Sequence, residues 1–207
     1  MRLTVRNIGD RQVALALLAA LVASSHPASA SAAALQAQSL RQAAAEPRLA
    51  LQSPDIAPGK AITRDQVYDE SGCRGGNLSP ALSWSQPPAG TRSFAVLMFD
   101  PDAPGGGWWH WAVFDIPAAV ASLRAGAGTP ERHLLPPGAI QARNDWGSLG
   151  YGGPCPPPGP PHHYRLMLFA LRVAGLGLDA SASAAQVAAR VRADALAEAE
   201  IVGTYGR

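Results

Sequence analysis

The chain has 207 residues, 47% of them apolar and 15% charged, with 17 basic against 15 acidic side chains. One domain of this length buries enough surface to need neither a metal nor a cross-link for stability. The near balance of charge excludes nucleic-acid recognition through a basic face and leaves no polybasic membrane patch.

The first thirty residues follow a pattern of their own. Arg2, Arg6 and Arg11 make a basic start, Val13 to Ala23 is an uncharged apolar run, and Ala28-Ser29-Ala30 supplies small residues. Together they read as a secretory signal peptide over residues 1–30, cleaved after Ala30. An uncleaved N-terminal anchor is the alternative, although the run is shorter than the roughly 20 apolar residues of an ordinary span. No cysteine stands near the cleavage site to carry a lipid. After cleavage 14 residues of each sign remain and no transmembrane span, so a periplasmic or secreted location is expected. Residues 31–54 are rich in Ala, Gln and Ser and read as a flexible leader, which makes 55–207 the folded domain.

Within that domain the apolar runs are short and separated by Gly and Pro, which favours a loop-rich β fold. Leu82-Ser83-Trp84 is a short candidate strand. Phe94 to Phe99 is a continuous apolar run ending at Asp100, and reads as a buried strand. Trp109 to Ile116 reads as the next, paired with it as an antiparallel hairpin. Alternation places Trp109 and Trp111 on one face for packing, and Trp108 and His110 on the other. Ala139-Ile140-Gln141 is a weak strand, and Tyr164 to Val173 a strong one. Ser183 to Glu200 is rich in helix formers, with Ser183 as N-cap and Val187, Val191, Ala195 and Ala199 at four-residue spacing. Ile201 to Tyr205 closes the chain as a final strand. The fold class is mainly β, with a helix near the C-terminus.

Two segments carry the candidate chemistry. Asp100-Pro101-Asp102-Ala103-Pro104 precedes Trp108-Trp109-His110-Trp111, and Pro156-Pro157-Pro158-Gly159 precedes His162-His163-Tyr164. The prolines stiffen both loops, so polar groups beside them are held in place. Asp100, adjacent to His110 across the hairpin, is expected to fix that ring's tautomer and favour the imidazolium. His162 and Tyr164, two apart in a strand, share a face, and His163 faces away with only a surface effect. Each residue also has a plainer reading: the aspartates as turn caps, the tryptophans as core, the histidines as structural. Cys73 and Cys155 are an even pair, which in an exported protein most simply forms a disulfide. Closing a loop of about 80 residues is worth roughly 4 kcal/mol. Two reduced buried thiols are the other reading.

These motifs, in this order, resemble the phosphatidylethanolamine-binding protein (PEBP) family, and most closely its bacterial, Raf-kinase-inhibitor-like branch. The segment Gly150-Tyr151-Gly152-Gly153-Pro154-Cys155 belongs to the same pattern, as do Gly72-Cys73, Leu78 to Trp84, Arg143-Asn144-Asp145 and the closing Gly203-Thr204-Tyr205-Gly206-Arg207. The resemblance covers about residues 58 to 207. It implies a single-domain β-sandwich with a central antiparallel sheet and a small anion-accepting cavity. Carried over by position, Asp100, Asp102, Trp108, His110, Pro157, His162 and Tyr164 form the ligand pocket. Gly105-Gly106-Gly107 is one residue shorter than the loop usual in the bacterial branch, and only Pro160-Pro161 follow Gly159 before His162. Both differences fall at the pocket rim.

Three functional readings follow. The first is a non-enzymatic binding protein, without cofactor, for a small anion such as phosphate or a phospholipid head group. The second is a metal-dependent hydrolase using Asp100, Asp102, His110 and His162, disfavoured because the ligands lack compact metal-binding spacing. The third is an inhibitor or interaction module acting on another protein. The oligomeric state is left open.

Overall fold

The computed structural model describes residues 33–37 and 48–207. Pro47–Arg207 makes one compact unit and Met1–Glu46 another, of which only a helical stretch at 33–37 is described. The expected signal peptide and most of the expected leader lie outside the described residues. No helix among the described residues is long and apolar enough to cross a membrane.

Eight strands and one α-helix build the main unit: β1 Ala50–Gln52, β2 Leu82–Ser85, β3 Ser93–Asp100, β4 Trp108–Pro117, β5 Ser122–Leu123, β6 Ile140–Gln141, β7 His162–Leu171, α1 Ala184–Asp194 and β8 Ala195–Tyr205. They form a three-stranded sheet, β1-β2-β5, and a five-stranded sheet, β6-β4-β3-β7-β8, with every named pairing antiparallel. β1 falls inside the stretch expected as leader. Leu51 stands opposite Trp84 and Leu49 is buried, and these apolar residues draw the chain into the fold before Asp55.

The large sheet is buried on both faces, which is why β3 reads as an unbroken apolar run. One face packs Phe94, Val96, Met98, Trp111, Tyr164, Leu166 and Leu168 against Leu82, Trp84 and Leu123 of the small sheet. The other packs Ala95, Leu97, Phe114, Met167 and Phe169 under Val187, Ala188 and Val191 of α1. Burying each large apolar side chain in these layers contributes about 1.5–3 kcal/mol.

Two expectations need correction. The helix starts as expected: the Ser183 hydroxyl accepts from the Gln186 N–H at 3.2 Å, while the Ser183 N–H donates to Gln186 Oε1 at 2.8 Å. It ends at Asp194, however, and Ala195–Glu200 continues as strand along β7. Ala-Leu-Ala-Glu-Ala-Glu alternates small and larger residues with period two, and the backbone pairing with β7 overrides its helix propensity.

The second correction concerns β4. Met98 pairs with Trp111 and Phe99 with Trp109, so His110 has no partner across the ladder. This β-bulge interrupts the alternation. Trp111 enters the core between the sheets, whereas Trp109 lies against Phe99 (ring centroids 4.4 Å apart) beside the helix-covered layer. Trp109 and Trp111 therefore face opposite ways. A bulge re-aims a side chain and frees backbone groups for other partners, and both consequences bear on the site.

Candidate functional site

Asp100 ends β3, and its carboxylate receives three hydrogen bonds. Oδ1 accepts from the N–H of Asp102 at 2.8 Å and of Ala103 at 3.2 Å, which closes the proline turn. Oδ2 accepts from His162 Nδ1 at 2.7 Å. The carboxylate is almost fully buried, and its partner ring only slightly less so. The turn-cap reading of Asp100 thus holds through one oxygen, while the other oxygen orients a histidine, though a different one from that expected.

The histidine it orients is His162, not His110. The His110 Nδ1–H donates instead to the Gly152 carbonyl at 2.6 Å, and the Gly152 N–H returns a bond to the His110 carbonyl at 2.9 Å. The bulge makes this exchange possible by releasing the His110 backbone from the ladder. Gly152 is needed there: a Cβ would stand 2.3 Å from Trp146 Cδ1. Burial pushes the His110 pKa below that of a free imidazole, against smaller opposing effects from the Gly152 bond and the Asp100 charge. The expected preference for imidazolium is reversed, because complete desolvation of the ring outweighs a carboxylate that bonds elsewhere.

Asp102 leaves the cluster. Its Oδ2 accepts both the backbone N–H and the Nδ1–H of His163, each at 2.7 Å, on the exposed side of β7. Those bonds, the backbone one first, hold the Asp102 pKa below the usual carboxylate value. Asp102 anchors the proline loop to the start of β7 and does not line the cavity. His163 faces outward as expected, yet it is half of this anchor. With Asp102 turned away, the ligand set of the metal-dependent reading does not converge, and no group of three or more His, Cys, Asp or Glu side chains among the described residues is arranged to hold a metal ion.

The remaining six predicted residues come together. Asp100, Trp108, His110, Pro157, His162 and Tyr164 line a cavity of about 180 Å³. Ala103, Pro104, Trp146, Cys155 and Pro156 complete its walls. Trp146 escaped sequence reasoning because it sits in a loop with no periodicity; its one signal is its place directly after Arg143-Asn144-Asp145. That segment is fixed from two sides. Asp145 Oδ2 accepts the Trp109 N–H at 2.7 Å, and Asn144 Nδ2 donates to the Gly150 carbonyl at 3.0 Å. Trp146 then stacks on Tyr68 with ring centroids 4.3 Å apart and meets Trp108 edge-on at 5.1 Å. The wall bearing Cys155 is tied to Cys73 by a disulfide, as expected of the pair.

Three hydrogen-bond donors in these walls are buried without a partner: Trp108 Nε1, Trp146 Nε1 and the Tyr164 hydroxyl. Native folds rarely leave such groups unpaired, since each costs about 1–3 kcal/mol. Burial, then the Asp100 charge and the approach of the hydroxyl to the Asp100 carboxylate, short of hydrogen-bond geometry, push Tyr164 ionisation well above its ordinary value, so the phenol keeps its proton and remains a donor. With Nδ1 engaged in both histidines, Nε2 is the ring nitrogen left for a ligand. The chemistry on offer is donor-rich, with a single carboxylate on which three donors already converge.

A family model described as phosphatidylethanolamine-binding protein matches residues 52–206. The chain belongs to the phosphatidylethanolamine-binding protein family. Among its PEBP relatives, the UPF0098 protein YbcL of Escherichia coli is 47% identical over 155 residues, covering 74% of this chain and 85% of that protein. The UPF0098 protein YbhB of the same organism is 40% identical over 154 residues, covering 74% and 97%. The crystal structure of E. coli YbcL, described as a new member of the mammalian PEBP family, superposes with a TM-score of 0.76 at 45% identity, over 77% of this chain and 99% of that one. The two-sheet architecture is thus the PEBP fold, and a fold of this family has the potential to bind a ligand.

Removing only the Tyr164 hydroxyl separates a ligand donor from a structural one. Tyr164→Phe is expected to keep or raise stability by up to about 1 kcal/mol, since an unpaired buried group is lost. Were an oxyanion to occupy the cavity, the same change would weaken its binding about tenfold, one charge-assisted hydrogen bond. Urea denaturation and calorimetric titration of the variant check the two halves.

Proposed function

We propose that this PEBP-family protein binds a small oxyanion, phosphate or the phosphate of a phospholipid head group, outside the cytoplasm and without catalysing a reaction on it. The observation that carries this reading is the set of three unpartnered buried donors around one cavity, joined by two imidazoles. An oxyanion supplies the acceptors they lack. At about 180 Å³ the cavity is smaller than the roughly 300–1,000 Å³ of sites for larger molecules, which suits a head group and leaves lipid tails outside. No Ser, Thr or free Cys lines it to act as nucleophile beside the histidines, which supports binding over catalysis. The Cys73–Cys155 cross-link supports an oxidising compartment. So does similarity to LppC of Mycobacterium tuberculosis, a protein named as a candidate lipoprotein, 38% identical over 163 residues, 78% of this chain and 74% of that one.

Calorimetric titration with phosphate, phosphoethanolamine and phosphocholine tests the proposal. Saturable phosphate binding that is lost in both His110→Ala and His162→Ala is expected. Because Asp100 already holds three donors and Asp102 lies outside, the ammonium group adds little, and the three ligands bind within a few-fold of one another. Absence of saturable heat up to millimolar concentration in the wild type sinks the reading.

The depressed His110 pKa gives a pH signature. The unfolded chain takes up a proton near the free-imidazole value of 6.5 more readily than the fold does. The stability contributed by the neutral ring is therefore complete above 6.5 and is lost as pH falls through the lower folded value. Thermal melts should show a steeper loss on acidification for the wild type than for His110→Gln. An oxyanion at Nε2 favours the protonated ring, so sulfate, whose charge is constant here, should bind more tightly as pH falls, with proton uptake visible in buffers of different ionisation enthalpy.

A further inference from the structure

A second hollow, of about 350 Å³, is lined by Arg64, Arg74 and Arg207 together with Val67, Cys73 and Tyr205. Among the described residues none of the three guanidiniums lies within ion-pair distance of a carboxylate. Asp69 and Glu70, on the loop between Arg64 and Arg74, act instead on the Tyr68 hydroxyl. Two of the three side chains are held in place by the backbone. Arg64 Nε–H donates to the Arg74 carbonyl at 2.7 Å, and Arg207 Nε–H donates to the Pro156 carbonyl at 2.8 Å. Each bond uses the Nε–H and leaves the terminal Nη groups of the fork for another acceptor. Basic surface residues without a role are ordinarily mobile and spread apart. Here two forks are oriented before any ligand arrives, and three like charges share one concavity with apolar residues in its wall. Such a concavity focuses a positive potential, and an anion relieves the mutual repulsion of its charges.

The position of this hollow links it to the first cavity. Cys73 lines the hollow while its disulfide partner Cys155 lines the cavity, and Pro156, the acceptor for Arg207, lines the cavity too. The two sites lie on opposite sides of one cross-linked wall.

We propose that Arg64, Arg74 and Arg207 form a second oxyanion site, for a phosphate-type group of two or more negative charges, separate from the cavity of His110, His162 and Tyr164. Planar guanidinium forks match phosphate oxygens two at a time, which a lysine cluster would not. The site does not depend on the first cavity being a ligand site.

Titration of the full chain with inorganic phosphate, comparing wild type, Arg74→Gln, Arg64→Gln and His162→Ala, tests it. The Arg74 side chain makes no hydrogen bond within the fold among the described residues, so Arg74→Gln leaves the structure intact. Two sites are expected in the wild type. Arg74→Gln and Arg64→Gln each weaken one of them about tenfold at low salt, a deficit that shrinks as salt screens the charges, while His162→Ala removes only the other. A single site lost in His162→Ala and untouched in both arginine variants overturns the proposal. A single site lost only in the arginine variants upholds it and instead rejects the cavity as an oxyanion site. Vesicles containing phosphatidic acid, whose phosphomonoester can carry two charges, against phosphatidylcholine alone, distinguish a lipid source from free phosphate: arginine-dependent binding to the anionic vesicles assigns the phosphate to a lipid, and its absence assigns it to a soluble ligand.

Discussion

Replacing Cys73 and Cys155 together by serine is expected to lower the unfolding free energy by about 4 kcal/mol, the chain-entropy value for a long closed loop. The two cysteines are 82 residues apart, and the cross-link joins the loop that follows Tyr68 to the wall carrying Cys155, Pro156 and Pro157. Opening it frees a long stretch of the denatured chain and releases one side of the cavity. The first effect appears as a lower midpoint in urea, and the second as weaker phosphate binding under conditions where the variant is still folded. Reducing the wild-type protein should reproduce both. A loss under about 1 kcal/mol would mean that neighbouring contacts already restrain the denatured chain.

Asp100→Ala is the second large effect, at about 3 kcal/mol. The substitution strands the Asp102 and Ala103 N–H groups and the His162 Nδ1–H, all of which converge on this buried carboxylate. Binding falls with stability, because the His162 ring loses the contact that aims its other nitrogen. Asp102→Ala is the control. Its carboxylate also receives bonds, but at the exposed start of β7, where water replaces it, so the loss stays within about 0.5 kcal/mol. Chemical denaturation of the two variants side by side checks the contrast, and equal losses would refute the division of labour between the two aspartates.

Much of this site was legible in the sequence because its anchors are local. An apolar run that stops at Asp100, two prolines after it, and a histidine two residues before a tyrosine at a strand start are all short-range signals, and six of the seven pocket residues that the family resemblance of these motifs implied meet in one cavity. What escaped depends on distant partners. The bulge at His110 follows from a register shift against Met98 and Phe99, and it decides both where Trp111 goes and that Gly152, not Asp100, holds the His110 ring. Trp146 reaches the cavity because its neighbour Asp145 is bonded to Trp109, which is too far off in sequence to leave a pattern. The helix boundary differs for a related reason: Ala195–Glu200 carries a helix-forming composition, and only the long edge of β7 turns it into strand. The domain starts earlier than Asp55 because β1, three residues long, shows itself only through its pairing with β2.

The donor-rich cavity is tested most directly by a crystal structure of the protein soaked with phosphoethanolamine. The expected result is a phosphate group inside the cavity, within hydrogen-bond distance of the Tyr164 hydroxyl and of Nε2 on His162, with the ethanolamine end turned toward the opening. A cavity that stays free of phosphate at millimolar ligand, with the Tyr164 hydroxyl still unpaired, would contradict it.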